Sequence, residues 1–290
     1  MAMLRVSGRQ VMIEQVLGQG GFGTVSRVRD VNTAELFALK DIACQTDLTA
    51  VMSALQEINT LRSLSHPNII KLIAADQLVE VQGIHVLILM EYCSGGNLND
   101  RLTRPDYNPL KNQKWMRQIA DALAYLHSRN TVHRDLKPEN VLLTDQVNED
   151  IKLADFGLAR KYIALKQGNA GSVNDAQYYM QTGAGTLYYM APEVFEGHYT
   201  EKSDVFSLGV LFFAIVERRF IQVGGKRMYG AFVSIPKRGV VGLGFAMANG
   251  YPNSMVTFTQ ASPDVQQLIQ NVLSYNYHQR MSASDVRARV

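Results

Sequence analysis

One short polar segment, VHRDLKPENVLL at residues 132–143, carries several side chains capable of chemistry between two apolar runs. Asp135 can accept a proton from a hydroxyl group and orient that hydroxyl as a nucleophile. Lys137 can neutralise charge on a group in transfer, and the amide oxygen of Asn140 can ligate a metal ion. A loop that is polar only for solubility needs no such mixture, so the segment indicates a functional site if the rest of the chain supplies something for it to act on.

A second carboxylate follows in LADFGLAR, where Asp155 precedes Phe-Gly. Oxygen donors from two separate loops suit Mg²⁺, a hard cation that also takes ligands from substrate phosphates. Asn140 and Asp155 are therefore the candidate metal ligands.

A glycine-rich segment near the N-terminus, GQGGFGTV, places Gly18, Gly20 and Gly23 between two predicted strands. Glycines let backbone amides approach phosphate oxygens closely, although a glycine-rich hairpin without a ligand has the same pattern. On the next strand, Lys40 in FALK stands among apolar residues and needs a partner for its charge. Glu57, the one acidic residue within the following amphipathic helix, is the expected partner, and an ordinary ion pair between helix and sheet is the alternative.

The periodicity of the chain changes along its length. Alternating apolar and polar residues predict strands in the first forty positions, and an apolar repeat of three and four residues predicts a helix from Leu48 to Leu64. Helical patterns dominate later, so we expect two lobes joined near 93–96. Segments 166–177 and 218–239 are predicted to be loops. The apolar run 205–216 is too short to span a bilayer and predicts a buried helix.

The composition is that of a globular protein. The 290 residues are 47% hydrophobic and 19% charged, and the formal net charge of +3 is too small to imply nucleic-acid binding. The two cysteines, Cys44 and Cys93, suggest neither a disulfide framework nor a zinc site and fit a reducing compartment. The first residues, MAMLRVSGRQ, lack the long apolar core that is typical of a signal peptide. We therefore expect a soluble intracellular protein.

These motifs, followed by GTLYYMAPEVF and SDVFSLGV, resemble in their order a eukaryotic protein kinase catalytic domain of the serine/threonine type. The resemblance covers residues 11–288 and implies an α+β, bilobal fold. A small β-rich N-lobe with one main helix would occupy residues 11–93, and a larger, mainly helical C-lobe residues 94–290. The catalytic residues that it implies are Asp135, Lys137, Lys40, Glu57 and Thr186.

The resemblance also implies an ATP site with Mg²⁺, or Mn²⁺ in its place. Met90 would be the gatekeeper, Val25, Ala38 and Leu142 would enclose the adenine, and Asn97 replaces the acid that many kinases use on the ribose. The ATP-binding residues implied are Gly18, Gly20, Gly23, Val25, Ala38, Lys40, Met90, Glu91, Cys93, Asn97 and Leu142.

Three structural residues are implied by the same resemblance. Asp204 would hold the catalytic loop by its backbone, although an acid at a helix start is most often a cap. Glu193 and Arg280 would form the pair that supports the activation segment.

Regulation is implied at Thr182, which stands where the family has its activation-loop phosphorylation site. Phosphorylation adds about −1.5 to −2 charges, which Arg134 and Arg160 are placed to bind. We expect autophosphorylation of Thr182 to raise activity.

The region from MAPEVF onward, with the insert that follows it, is similar to the CLIK/PDIK-like serine/threonine kinases. That group is linked to the nucleus and to actin-associated partners, so we expect a nuclear or cytoplasmic location. The insert 218–238 holds six basic residues. It is either a solvated loop or a docking surface for an acidic protein partner or an import receptor.

Three other classes of protein share some of these motifs. A nucleotide-binding pseudokinase that acts as a scaffold should have lost Lys40, Asp135 or Asp155, and all three are present. A small-molecule kinase of the aminoglycoside type would lack GTLYYMAPE and the arginine of HRD. In a Rossmann protein the glycines should open a helix, whereas here a second strand is predicted. Protein substrates with Ser/Thr acceptors are expected, with no membrane or direct nucleic-acid binding.

Overall fold

The computed structural model describes residues 2–20, 23–81, 83–161, 186–252 and 256–290. Its N-terminal part is a six-stranded antiparallel sheet in the order β1-β2-β3-β4-β6-β5. The strands are β1 (Met3–Val6), β2 (Arg9–Gly20), β3 (Gly23–Asp30), β4 (Leu36–Gln45), β5 (Leu72–Glu80) and β6 (Gly83–Glu91). The predicted β-rich N-lobe is confirmed, and β1 adds a strand before the expected start at residue 11.

The two faces of this sheet bury different clusters. Helix α1 (Leu48–Arg62) lies against one face, where Val51 and Ile58 share a core with Val86 and Ile88. The helix begins where Asp47 accepts a hydrogen bond from the Thr49 amide. The predicted amphipathic helix is therefore confirmed, with its C-terminal end two residues earlier than expected.

The second face is enclosed because the sheet curls on itself. Strands β1 and β5 lie at opposite ends of the strand order. The Ser7 amide donates to Asp76 Oδ2 (2.8 Å), and the Ser7 hydroxyl donates to the Ala75 carbonyl (2.8 Å). These bonds join the two edges and cover an apolar cluster that includes Val11 and Leu87.

Helices dominate the remainder, which confirms the α+β class with a helical C-lobe. They are α2 (Leu98–Leu102), α3 (Pro109–Ser128), α4 (Glu201–Glu217), α5 (Leu243–Ala248), α6 (Pro263–Val272) and α7 (Ala283–Arg287). Helix α4 is buried from Ser203 to Glu217, so the interpretation of 205–216 as a buried helix is confirmed. Among the described residues, no helix has the length and apolarity needed to cross a bilayer.

Two short ladders position the catalytic segment. Strand β7 (Thr131–Val132) pairs with β10 (Arg160–Lys161), and β8 (Val141–Leu143) pairs with β9 (Ile151–Leu153). The polar residues between β7 and β8 are thus held at both ends. The connection from the sheet also joins this ladder, because the Gly95 amide donates to the Leu143 carbonyl (3.0 Å).

The prediction of a loop over 218–239 is wrong. The structure contains two hairpins, β11 (Phe220–Val223) with β12 (Lys226–Tyr229) and β13 (Phe232–Ile235) with β14 (Gly239–Gly242). Gly224 and Gly225 both have positive φ, of 56° and 79°, which is the requirement of a two-residue hairpin turn. The Gly-Gly pair between alternating runs was the signal, and the basic residues around it obscured that alternation.

A buried ion pair ties two distant parts of the helical region together. Arg280 donates to both carboxylate oxygens of Glu193, at 2.8 and 3.1 Å, and its side chain has no exposed surface. The same guanidinium donates to the Lys202 and Ser274 carbonyls. The expected pair is therefore present, and it anchors the short 3₁₀ turn Pro192–Glu196.

We expect Arg280→Ala to lower the free energy of unfolding by about 3–5 kcal/mol, because Glu193 would stay buried without a partner. The matched control is Arg287→Ala, which removes an exposed pair with Asp121 and should cost about 0–1 kcal/mol. Urea denaturation followed by circular dichroism measures both, and equal losses would contradict the assignment.

Candidate active site

The catalytic segment is fixed by a carboxylate beneath it. The amides of His133 and Arg134 donate to the two oxygens of Asp204, at 2.8 and 2.9 Å. Asp204 lies in the first turn of α4, but the cap of that helix is Thr200, which forms a capping box with Ser203. The cap interpretation of Asp204 is therefore wrong, and its carboxylate holds the loop backbone, as the resemblance implied.

Asp204 accepts two further hydrogen bonds, from His127 Nε2 (2.9 Å) and the Tyr199 hydroxyl. Burial alone would raise the pKa of Asp204, but the hydrogen bond and charge of His127 outweigh burial and lower it. Sequence reasoning missed His127 and Tyr199. For His127 the signal is a histidine on the last turn of a helix whose inner face is mostly apolar; Tyr199 has no comparable signal.

Asp135 is the centre of the polar cluster. Its carboxylate accepts from Lys137 Nζ (2.8 Å to Oδ2), from Asn140 Nδ2 (2.8 Å) and from the Thr186 hydroxyl (3.3 Å). Lys137 also donates to Thr186 Oγ1 at 2.9 Å. The structure thus brings together four residues that the sequence placed in one site. Asp135 is only 4% exposed, so these hydrogen bonds, and not water, stabilise its carboxylate and fix its orientation.

The predicted pair of Lys40 and Glu57 is present. Lys40 Nζ donates to both Glu57 oxygens, at 2.8 and 2.9 Å, and to Asp155 Oδ1 at 3.2 Å. Burial alone would lower the pKa of Lys40, but the charges of Asp155 and Glu57 outweigh it and raise the pKa. The ammonium therefore stays charged and joins strand β4, helix α1 and the Asp155 loop at one point.

The two candidate metal ligands are neighbours. The Ala154 amide donates to the Asn140 carbonyl (2.9 Å), which places Asp155 beside Asn140. Asn140 uses its amide nitrogen on Asp135, so its amide oxygen remains available as a ligand. Two oxygen donors fit Mg²⁺, which completes its shell with waters and substrate phosphates. In the described part of the chain, no cluster of three acidic, histidine or cysteine side chains forms a self-sufficient metal site.

The three glycines of the glycine-rich segment differ in what the fold requires of them. Gly23 has φ +109°, and a Cβ there would collide with the Asp41 carbonyl, so the hairpin itself requires this glycine. At Gly18 and Gly20 a Cβ would meet no atom within 4 Å. The fold leaves space at these two positions, as a backbone that cradles a phosphate group would need.

The predicted adenine-binding residues lie on adjoining strands. Ala38 is opposite Met90 in the β4–β6 ladder, and Val25 is opposite Lys40 in the β3–β4 ladder. Leu142 forms an isolated bridge with Asn97, which brings the helical region to the same place. The enclosure of adenine remains a prediction that this arrangement favours.

Two further predicted residues lie at the end of β6 and in the segment that follows it. Glu91 lies at the end of β6, and its side chain accepts from Lys152 (2.9 Å) and from the Lys71 amide (2.7 Å). Asn97 is the N-cap of α2, accepting from the Asp100 amide at 2.9 Å. Its predicted ribose contact therefore competes with a capping role.

The regulatory residues are only partly described. Thr182 lies outside the described residues. Arg134 places its guanidinium carbon 5.1 Å from the centre of the Tyr199 ring, and Arg160 donates to the Ala159 carbonyl at 2.9 Å. Their predicted binding of a phosphate on Thr182 stays a prediction.

Comparison with known proteins agrees with this geometry. A family model described as "Protein kinase domain" matches residues 11–289. Calcium-dependent protein kinase 3 of Plasmodium yoelii yoelii and that of Plasmodium berghei (strain Anka) are each 37% identical over 205 residues, covering 70% of this chain and 35% and 34% of theirs. Calcium-dependent protein kinase 5 of Plasmodium berghei is 30% identical over 272 residues, covering 93% of this chain and 43% of its own. The chain thus spans less than half the length of these relatives.

We expect Cys93 and Cys44 to resist alkylation in the folded protein at pH 8. Burial raises the pKa of the Cys93 thiol to about 12 and also raises that of Cys44, so only about one Cys93 in ten thousand would be the reactive thiolate. Mass spectrometry after iodoacetamide treatment measures this, with urea-unfolded protein as the control. Rapid native labelling of Cys93 would show that the segment after β6 is open to solvent.

Proposed function

The chain belongs to the protein kinase domain family, and we propose that it transfers the γ-phosphoryl group of Mg·ATP to serine and threonine hydroxyls of proteins. The observation that carries this proposal is the Asp135 cluster. One carboxylate meets an amide, an ammonium and a hydroxyl, and all three positions belong to motifs of the family.

In the proposed reaction, Asp135 orients the hydroxyl of the acceptor residue and takes its proton. A bond forms between that oxygen and the γ-phosphorus, while the bond from the γ-phosphorus to the β–γ bridging oxygen breaks and ADP leaves. Lys137 neutralises charge on the group in transfer. Positioning and electrostatic stabilisation supply most of the catalysis in such reactions.

The nucleotide would be held by groups that the fold already presents. Lys40 is charged and fixed by Glu57, so it can bind the α- and β-phosphates. Asn140 and Asp155 would hold Mg²⁺, which neutralises phosphate charge when bound. The open space at Gly18 and Gly20 leaves their amides accessible to the phosphates.

Preference for serine and threonine is supported by Thr186. Its hydroxyl accepts from Lys137 Nζ (2.9 Å) and donates to Asp135 Oδ1 (3.3 Å). This threonine therefore lies directly beside the catalytic carboxylate, at the position where the serine/threonine kinases that the sequence resembles carry it. The relatives named above are also called protein kinases. Their names include calcium dependence, and the proposal for this chain does not extend to that property.

Finer features of the proposal rest on the sequence. Similarity to the CLIK/PDIK-like group supports a nuclear or cytoplasmic location, and the resemblance to protein kinase catalytic domains supports the domain bounds 11–93 and 94–290. An acidic protein partner for the basic insert also belongs to this level of the proposal. A scaffold that binds nucleotide without transfer is the alternative, and the intact Lys40, Asp135 and Asp155 argue against it.

The first test is transfer of labelled γ-phosphate from Mg·ATP to a degenerate library of Ser, Thr and Tyr peptides. We expect transfer to Ser and Thr, and we expect Asp135→Asn to lower kcat by about 10²- to 10⁴-fold because the proton acceptor is lost. Asp264→Asn, an exposed carboxylate at the start of α6, is the matched control and should leave kcat unchanged. Nucleotide binding without transfer would favour the scaffold.

A second test concerns regulation. We expect Thr182→Ala to lower kcat several-fold and to abolish the gain on preincubation with Mg·ATP, because the phosphate that Arg134 would bind cannot form. Steady-state rates before and after preincubation, with phosphorylation sites mapped by mass spectrometry, measure this. A Thr182→Ala protein that gains as much as the parent would refute regulation at that residue.

A further inference from the structure

Residues 219–242, which form the two hairpins and are called here the twin-hairpin segment, pack against the backbone beside the acceptor site. The Tyr189 hydroxyl donates to the Tyr229 carbonyl at 2.6 Å. The rings of Tyr188 and Phe232 meet edge to face with centres 5.5 Å apart. Since Tyr188 is two residues from Thr186, this segment forms a wall of the region where a protein substrate must lie.

The packing at this wall is too close for side chains at two positions. A Cβ at Gly242 would stand 2.7 Å from the Cα and carbonyl oxygen of Tyr188, and one at Gly244 would collide with the Met190 carbonyl. Neither glycine has a positive φ, so close approach is the reason for them. The second hairpin and α5 therefore pack closely against residues 186–190, which are called here the acceptor-side backbone.

The charge of this region is one-sided. Residues 218–263 contain six of the 29 basic residues of the chain and none of its 26 acidic ones, which more than accounts for the net charge of +3. Two of the six serve the fold. Arg218 donates to the Leu102 carbonyl (3.2 Å) and to Asn112 (3.1 Å), and Arg219 donates to Thr257 (2.8 Å).

The other four basic residues are exposed at the two hairpin turns, Lys226 and Arg227 on the first and Lys237 and Arg238 on the second. None of these four makes an ion pair within the ranges that the structure describes. Arg238 is held over the Phe245 ring, with its guanidinium carbon 5.2 Å from the ring centre. The Phe245 ring thus fixes the position of the Arg238 guanidinium but does not neutralise its charge.

The second hairpin is the better placed of the two for an anion. The first hairpin is tied to α2, where Asn99 donates to the Arg227 carbonyl (2.8 Å). That helix carries Asp100, an exposed carboxylate that would repel an anion. The second hairpin contacts the acceptor-side backbone through Phe232. Its turn lies three residue pairs farther along the hairpin, which is about 10 Å from Phe232.

We propose that Lys237 and Arg238 form a docking site for anionic side chains of the protein substrate, carboxylate or phosphoserine, at a distance from the acceptor residue. This inference rests on the proposed function. The path from Thr186 through Tyr188 and along the hairpin is roughly 20 Å, which corresponds to about six residues of extended chain. Specificity would therefore be read well outside the residues that flank the acceptor.

The experiment compares three peptides with the same acceptor and neighbouring residues. One carries two Asp residues about six positions from the acceptor, one carries phosphoserine there, and one carries Ser; each is made in N-terminal and C-terminal versions. We expect KM for one anionic version to be about three- to tenfold lower than for the Ser peptide, since two exposed ion pairs contribute about that much. The difference should vanish at high salt.

Two charge-matched double variants locate the effect. Lys237→Gln/Arg238→Gln should bring the KM ratio of anionic to Ser peptide to about one. Lys226→Gln/Arg227→Gln, on the first hairpin, should keep the ratio of the parent. Thermal unfolding of both variants verifies the fold. Equal KM values for the three peptides in the parent, or equal losses in the two variants, would overturn the proposal.

A binding measurement separates this inference from the proposed function. Fluorescence anisotropy of labelled peptides reports docking without nucleotide. Charge-dependent binding that needs Lys237 and Arg238, with no phosphate transfer to any peptide, would refute the proposed function and uphold the docking site. Transfer to Ser and Thr with no charge preference in binding or KM would do the reverse.

Discussion

A charge removed from water must meet an opposite charge or a set of hydrogen bonds, and this constraint governs the geometry of the site. Asp204 and Arg280 have no exposed side-chain surface, and Lys40 has 6%. Each is matched by groups from other parts of the chain. The pairs are a means of placing the catalytic loop, helix α1 and the Pro192–Glu196 turn relative to one another.

The match at Lys40 has a consequence for control of activity. Glu57 belongs to α1, Asp155 to the loop after β9, and both contact one ammonium. A displacement of α1 would separate the Glu57 carboxylate from the buried Lys40 ammonium. That separation is costly in a dry site, so the position of the helix and the readiness of the site are coupled.

Much of the site could be predicted from the sequence because its polar residues stand in short motifs, each next to a strand. Asp135 and Asn140 follow β7 closely, so the short backbone segment between β7 and β8 can adopt few conformations and the motif nearly determines where its side chains lie. His127 and Tyr199 could not be predicted in this way, because their role depends on Asp204 lying below the loop, a contact between distant segments. The hairpins at 218–239 were missed for a different reason: their turn chemistry was visible, but polar and basic residues hid the alternation.

The twin-hairpin segment and the catalytic loop hold the same short backbone from two sides. Lys137 and Asp135 bind Thr186, while Phe232 and Tyr229 contact the two tyrosines that follow it. Packed interfaces of this kind transmit small displacements instead of absorbing them. An anion bound at the turn of the second hairpin would therefore do more than raise the affinity of the enzyme for its protein substrate. It would also restrain the backbone that carries Thr186, whose hydroxyl donates directly to the catalytic carboxylate. Substrate docking and the order of the acceptor site would then be coupled through the twin-hairpin segment, which the sequence alone predicted to be a surface loop.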